Sequence, residues 1–372
     1  MFTPQETQFM TRALELAERG LWTTTPNPRV GCVVVRDGEV VGEGWHEKAG
    51  QAHAEVVALA AAGSRARGSS VFVTLEPCAH TGRVGPCVDA LLQAGVASVV
   101  AAMEDPNPLV QGRGLARLRA SGVSVRCGLL SQQAHDLNPG FVKRMVSGLP
   151  WVRAKSAISL DGRMALPNGR SQWITDEVCR KDGHLWRARA CVIATGLGTF
   201  LKDSPMLTVR GIDTPRQPLR LLLDARLDVD SGSPFFSAPN AAVATTADLT
   251  QPDMRLRAER LRERGARVLD LPSVRGGPGG PVDLRALCER LAADGCNELH
   301  LESGGRLAGA FLQEDLIDEW LIYQAPVFLG EGAALAEPLG PFERLDQAPR
   351  WRLVEAVPMG DGQRIRLMRP SA

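Results

Sequence analysis

Three residues able to bind zinc and one unpaired carboxylate stand together in the N-terminal part of the chain. His53-Ala54-Glu55 opens an apolar helical run, Pro77-Cys78 ends a strand-like run, and Cys87 opens the next helical run. One imidazole and two thiolates form a zinc set that leaves a fourth position for water. Bound zinc brings the pKa of such a water towards neutrality and makes a nucleophile of it. A carboxylate that is not itself a ligand must then carry the water's protons to a ring nitrogen and to the departing amine. Glu55, two residues from His53, is spaced for that role. The set implies hydrolytic removal of an exocyclic amine from an amino-pyrimidine-like ring. Two other readings stay open: a closed structural zinc site completed by His80 or His46, and three buried residues that hold no metal.

The pairing of H-x-E with a later P-C is the pattern of zinc deaminases, where the cysteines are usually spaced C-x-x-C. Here the spacing is C-AHTGRVGP-C, with eight residues between the thiols. Gly82, Gly85 and Pro86 favour a loop there, so both thiols can still reach one ion. Asn27, in the loop before the first strand, reads equally as a turn residue or as a hydrogen-bond partner for a ring edge. Cys32, Cys127, Cys191 and Cys288 lie in apolar runs and read as small core residues.

These side chains need elements to position them. Phe9, Met10, Ala13, Leu14 and Ala17 make a helical face, and Pro26-Asn27-Pro28 breaks the pattern. Val30 to Val35 reads as a buried strand, Asp37-Gly38 as a hairpin turn and Val40 to Trp45 as a second strand. His53 to Ala62 is predicted helical, stopped at Gly63. SSVFVTLEP, VASVVAAM and VSVRCG follow as strands, interleaved with the helices CVDALLQAG and LARLRASG. This alternation predicts an α/β layer architecture. The pattern resets within FVKRMVSGLPW, which divides the chain into domains 1–147 and 148–372. Beyond it, WVRAKSAIS, ACVIATG, LRLLLD and AAVATT read as strands. DEVCRKDGHLWRA, LRALCERLAADG and GRLAGAFLQEDL read as helices, and SGSPFFSAPN and SVRGGPGGPVD as loops.

A second constellation lies in that half. ESGGRLAGA follows the strand-like ELHLE and opens a helix. Its small residues let the backbone approach a pyrophosphate, and the helix N-terminus attracts the charge. It is not G-x-G-x-x-G, so it does not predict a Rossmann fold, and taken alone it reads more readily as a turn. Lys155 stands in an apolar strand of a chain whose other lysines are only at 48, 143, 181 and 202. That makes it a candidate substrate contact. Composition sets the outer limits. Net charge is +1 and aromatic residues make up 5%, which argues against a nucleic-acid groove or a membrane surface. No apolar run reaches about 18 residues, and the start MFTPQETQFM lacks a signal-peptide pattern. Eight cysteines scattered through 372 residues fit a reduced, cytoplasmic protein.

HAEVVAL, TLEPCAHTGRVGPC and EDPNPLVQGRGLARLRASG resemble the deaminase half of the bifunctional riboflavin-biosynthesis deaminase–reductase family. KSAISLDGRMA, SQWIT, RARACVIATGLGTFLKDSPMLTVR and ESGGRLAGAFLQEDLIDE resemble its reductase half, in the same order, over almost the whole chain. In that family the long insert between the cysteines is the rule. Its usual C-S-H-H-G-R-T-P-P-C has a second His where this chain has Thr81, which leaves the ligands intact but weakens a substrate contact from that loop. The resemblance implies a cytidine-deaminase-like α/β/α layer domain followed by a dihydrofolate-reductase-like α/β domain. It implies zinc in the first and NADPH in the second. The first would deaminate a diaminohydroxy-phosphoribosylamino-pyrimidine, and the second would reduce its ribosyl chain to ribityl. Cofactor contacts would fall on Ala157, Trp173, Thr199, Asp203 and on Gly304, Gly305, Arg306, Leu307, Ala308, Gly309 and Ala310. Substrate contacts would fall on Ser171, Arg187, Leu207, Arg210 and Glu302, the arginines offering planar forks for a phosphate. A homodimer or larger assembly is also implied. Two rival readings are a nucleic-acid base deaminase and a deaminase whose second half serves only in assembly.

Overall fold

Thr3 and Glu6 close a capping box, and the chain enters α1 (Pro4–Glu18) with Pro4 in its first turn. The computed structural model describes residues 1–79, 85–108, 110–274 and 276–370. They divide into two units, Met1–Gly148 and Leu149–Ala372.

In the first unit β1 (Gly31–Arg36) turns through Asp37 and Gly38, both at positive φ, into the antiparallel β2 (Glu39–Trp45). Then come α2 (Ala54–Ala62), β3 (Ser70–Val73), α3 (Cys87–Ala94), β4 (Ser98–Ala101), α4 (Arg113–Ala120) and β5 (Ser124–Cys127). Two short helices close the unit, α5 (Ser131–Leu137) and α6 (Pro139–Ser147). The strands form one sheet in the order β2-β1-β3-β4-β5. A strand as apolar as GCVVVR must be covered on both faces. Cys32 and Val34 pack with Ala54, Ala58 and Leu91 on one side, while Val33 and Val35 pack with Met10 and Ala13 on the other. Gly44 lets α2 lie directly on the sheet, because a Cβ there would come 2.5 Å from the backbone nitrogen of Ala58. That contact sets the height of the start of α2, where His53 and Glu55 stand.

Glu76 fixes the other wall. Its carboxylate accepts four backbone N–H groups, from Asp105 (3.1 Å), Gly112 (2.9 Å), Gly114 (2.8 Å) and Leu115 (3.1 Å). Helix α4 has no side-chain cap of its own, so this distant carboxylate serves its N-terminus. Gly114 permits the approach, since a Cβ there would lie 1.9 Å from the Pro77 carbonyl oxygen. Cys78 follows one residue later. Replacing Glu76 by Ala strands several buried donors at once, and we expect a loss of roughly 3 kcal/mol or more. The check is a lower urea midpoint for the N-terminal unit together with weaker metal retention; an unchanged midpoint would dismiss the clamp.

The second unit opens with β6 (Trp151–Ile158) and β7 (Arg163–Ala165), then α7 (Glu177–Arg189), β8 (Val192–Gly196), α8 (Leu197–Asp203) and β9 (Leu219–Leu223). It continues through β10 (Ala241–Thr245), α9 (Pro252–Glu263), β11 (Arg267–Asp270), α10 (Leu284–Ala293), β12 (Glu298–Glu302) and α11 (Gly305–Gln313). The last elements are β13 (Glu319–Gln324), β14 (Ala333–Ala334), β15 (Arg352–Met359) and β16 (Gly362–Met368). The main sheet runs β11-β10-β9-β8-β12-β6-β13-β16-β15 and is parallel as far as β13, with β16 and β15 antiparallel at the edge. Val152 and Ala154 of β6 enter the apolar core. Between them, Arg153 is only 1% exposed and meets Glu298 and Glu319.

The structure departs from the sequence pattern at 139–147. The segment read as the place where the pattern resets is the helix α6, with Pro139 at its first position and Gly148 ending it at φ 68. Its buried residues are Pro139, Gly140 and Phe141, too few and too close together to give a helical period.

Candidate active sites

His53 is the N-cap of α2 yet makes no side-chain cap bond, so its ring is available for something else. Cys87 is the first residue of α3, and Cys78 lies just beyond β3. The ligand atoms of the three lie within 4.8 Å of one another. His53 Nδ1 is 3.1 Å from Cys87 Sγ and 3.6 Å from Cys78 Sγ. With ordinary zinc–nitrogen and zinc–sulfur bonds at tetrahedral angles, such an N···S edge is about 3.6 Å. The donor set therefore fits one zinc ion. The electrostatics agree. Hydrogen bonds from Cys87 and His53 bring the Cys78 thiol down to about 4, and in return Cys78 and burial push the Cys87 thiol up. Hydrogen bonding to Cys78 raises His53. The three side chains share protons in the space where a divalent cation would take their place.

His46 is not part of the set. Its Nδ1 is 3.0 Å from the Ala52 carbonyl oxygen, and its Nε2 is 3.0 Å from Asn27 Nδ2. Both ring nitrogens are thus engaged, which removes the closed site completed by His46. His80, Thr81 and Gly82 lie outside the described residues. A carbonyl only accepts, so Nδ1 of His46 carries the hydrogen and Nε2 accepts from the Asn27 amide. The His46 ring meets His53 edge-on at 5.4 Å between centroids, which brings Asn27 one ring away from a metal ligand. Glu55 sits in the first turn of α2 and is 3% exposed. Burial pushes its carboxyl up to about 7, against the pull of its own backbone N–H and of His53.

The second unit holds a cleft of about 880 Å³. It opens where the carboxyl ends of β6, β8 and β12 meet, the usual place for a ligand in an open parallel sheet. Lys155, Ala157, Ser171 and Trp173 line it from one side, and Thr199, Asp203, Leu207 and Arg210 from another. Arg187, Glu302, Gly304, Gly305, Arg306 and Leu307 complete the residues expected there. Ala308, Gly309 and Ala310 are not in the lining. Ala308 is 2% exposed in the core, and a Cβ on Gly309 would meet the Glu337 backbone nitrogen at 2.7 Å. A helix climbs 1.5 Å per residue, so only the first turn of α11 faces the cleft.

Arg187 and Glu302 are a bidentate pair, with Nε to Oε1 at 2.5 Å and Nη2 to Oε2 at 2.8 Å. Nη1 of Arg187 also donates to the Thr208 carbonyl oxygen at 3.0 Å. Burial alone would raise the Glu302 carboxyl, but Arg187 holds it well below the ordinary range. Lys155 Nζ lies over the Tyr323 ring, 5.5 Å from its centroid, and burial lowers its pKa. Arg210 is exposed at the rim, and its backbone N–H donates to His184 Nδ1 at 3.2 Å. Burial, then Arg187 and Arg210, bring His184 down to about 4, so it is the neutral acceptor that this bond requires. Thr199 Oγ1 accepts from Gly304 N at 2.9 Å and ties α8 to the start of α11. His184, Tyr323, Lys202 and Arg180 also line the cleft and were not expected from sequence. For His184 a signal existed: it stands three residues before Arg187 on one helix, hence on the same face.

Two family models match the chain. The cytidine and deoxycytidylate deaminase zinc-binding region matches residues 3–103, and the RibD C-terminal domain matches 150–364. The riboflavin biosynthesis protein RibD of Escherichia coli is 44% identical over 368 residues, covering 96% of this chain and 97% of that protein. Its counterpart in Haemophilus influenzae is 40% identical, with 97% and 96% covered. Among solved structures, Acinetobacter baumannii RibD superposes with a TM-score of 0.89 at 39% identity, covering 99% of both chains. A Thermotoga maritima diaminohydroxyphosphoribosylaminopyrimidine deaminase/5-amino-6-(5-phosphoribosylamino)uracil reductase does so at 0.85 and 28% identity, covering 98% of this chain and 99% of that one. No helix among the described residues is long and apolar enough to cross a membrane.

Proposed function

The chain belongs to the RibD family, a deaminase joined to a reductase in riboflavin biosynthesis, and on that premise we propose which residues carry each of its two reactions. It is a zinc-dependent hydrolase and an oxidoreductase in one polypeptide, with a cytidine-deaminase-like unit followed by a dihydrofolate-reductase-like one.

In the first unit His53, Cys78 and Cys87 hold one zinc ion, which when bound supplies Lewis acidity towards water. Glu55 would then carry two protons in turn, the first from the attacking water to the ring nitrogen and the second from the hydroxyl so formed on the ring carbon to the departing amine. The observation that carries this assignment is a carboxyl buried with the ligand set yet outside it. Asn27, oriented by His46, offers its amide oxygen to an N–H on the pyrimidine edge. The substrate is the diaminohydroxyphosphoribosylaminopyrimidine named for the Thermotoga relative.

In the second unit NADPH, when bound, supplies a hydride for the ribosyl carbon of 5-amino-6-(5-phosphoribosylamino)uracil. Ala157, Trp173, Thr199, Asp203 and the start of α11 from Gly304 on receive the cofactor. The first-turn amides, beyond the Gly304 N–H given to Thr199, suit a pyrophosphate. Ser171, Leu207, Lys155 and Glu302 face the substrate. The two arginines divide their work unequally. Arg187 is neutralised by Glu302 and serves to hold it, whereas the Arg210 side chain has no acidic partner among the described residues and takes the phosphate. Arg210→Ala should raise the reductase KM by roughly tenfold or more, the worth of a hydrogen bond to a charged group, and leave deamination alone. Equal damage to both activities would mean a folding defect instead.

The whole reading is tested by a coupled assay on purified chain of known zinc content. Ammonia release should need the diaminopyrimidine alone, and NADPH oxidation should follow only after it. NADPH consumption on a substrate that keeps its amine would overturn the order.

A further inference from the structure

We propose that His300 is a positioning residue of the reductase, steering the Glu302 carboxylate from within the sheet. The inference rests on the reading of Glu302 as a substrate contact. His300 and Glu302 are two residues apart on β12, so their side chains leave the strand on one face. Glu302 reaches the cleft, while His300 is fully buried beneath it at 0% exposure. Nε2 of His300 lies 3.4 Å from Glu302 Oε1. Neither ring nitrogen has a hydrogen-bond partner among the described residues. A buried imidazole with neither nitrogen engaged is an exception that calls for a cause, and the carboxylate of the site lies beside its Nε2.

The charged groups that face the ring are Glu302 and Glu298 on its own strand, Arg153 on β6 and Arg187 on α7, and its β8 neighbour is the apolar Ile193. Burial and the two arginines keep it neutral, so it carries one ring hydrogen. On Nε2 that hydrogen faces a carboxylate oxygen. On Nδ1 it would leave the Nε2 lone pair facing the same negative charge. The first tautomer is therefore the stable one, and it places a donor behind Glu302. Arg187 grips the carboxylate from α7 with both oxygens engaged, and His300 supplies a second point of contact from β12. When substrate draws on Glu302, a short closure of the 3.4 Å gap keeps the carboxylate oriented and anionic.

The test compares two amides in the full chain. Gln places its NH₂ near the Nε2 position, whereas Asn places it near Nδ1 and leaves Glu302 without the donor. Reduction of the deaminated substrate by NADPH is followed as kcat and KM against pH, with ammonia release as the control for folding. We expect His300→Asn to lower kcat about tenfold and to move the acid limb of the profile up by about one pH unit, with His300→Gln restoring both. An unmoved acid limb in His300→Asn, or a change in melting temperature alone, would overturn the inference. Glu302→Gln separates this from the reading beneath it. If that variant reduces at the parent rate, Glu302 is not a substrate contact. If it is slow while His300→Asn matches the parent, only the role of His300 falls.

Discussion

Glu55→Gln is expected to keep zinc bound and to slow deamination by about three orders of magnitude, while the deaminated intermediate is still reduced at the parent rate. The size follows from the role, since a positioned proton shuttle contributes between about a hundred- and ten-thousand-fold. Gln has the same shape and can still accept a hydrogen bond, but it can neither take the water proton nor return it. The ligand set is untouched, because His53, Cys78 and Cys87 make up the metal group without Glu55. The fold should also hold. Glu55 is 3% exposed with its carboxyl lifted to about 7, so a neutral amide in its place costs little. Ammonia release, metal content and NADPH oxidation measured on one preparation decide the matter. Deamination at the parent rate would remove Glu55 from the mechanism, and loss of zinc would make it structural.

The first site was more legible in the sequence than the second, and the reason lies in how each is built. His53, Glu55, Cys78 and Cys87 are residue types with few other uses in such company; His53 caps α2 and Cys87 opens α3 where the sequence placed them, whereas β3 stops at Val73, short of the expected strand end at Pro77-Cys78. The long insert between the thiols did not prevent their meeting, because Cys87 is returned by the start of α3 and donates its own N–H to Cys78 at 3.3 Å. The engagement of His46 with Asn27 was not readable, since it depends on a loop folding back across nineteen residues. In the reductase cleft the residues could be named by resemblance, but their partnerships could not. Arg187 and Glu302 are 115 residues apart in sequence, and nothing local indicates that one neutralises the other. The same limit governs the fold. β1 was clear because both its faces are apolar. Helix α9 was not, because it buries only Ala258 and Leu261 beneath a surface of Arg and Glu. The β15–β16 edge was not anticipated, although β16 alternates: Ile365 and Leu367 pack against the core while Arg364 and Arg366 join an ion network whose acidic partners are remote in sequence.

That network yields the other large effect: Arg153→Leu should destabilise the reductase unit by about 3–5 kcal/mol, the cost of removing one member of a buried ion pair. Arg153 is 1% exposed and donates to Glu298 at 3.0 Å and to Glu319 at 2.8 Å, with Trp186 stacked 4.6 Å from its guanidinium. Arg189 and Arg366 reach the same two carboxylates from the flanks, at 2.7 and 2.9 Å. Leucine fills the volume but leaves two buried acids short of their central cation. The pH dependence has a definite sign. Burial would raise the Glu319 carboxyl, yet Arg153 and then Arg366 and Arg189 hold it at about 2, below the unfolded value of about 4.3. Its contribution is therefore present above pH about 4 and fades as the pH falls towards about 2. In Arg153→Leu the carboxylates protonate sooner, so acid unfolding moves to higher pH. The gap in urea midpoint between parent and variant, wide at neutral pH, should close on acidification. Equal midpoints at neutral pH would show that the pair contributes nothing net. A gap that persists into acid would indicate lost packing instead of lost charge. Function should fail unevenly as well. Glu298, His300 and Glu302 share one face of β12, so a disturbance at its buried start is carried by the strand to the carboxylate in the cleft. Reduction should decline under mild denaturant while ammonia release, which depends on the other unit, continues.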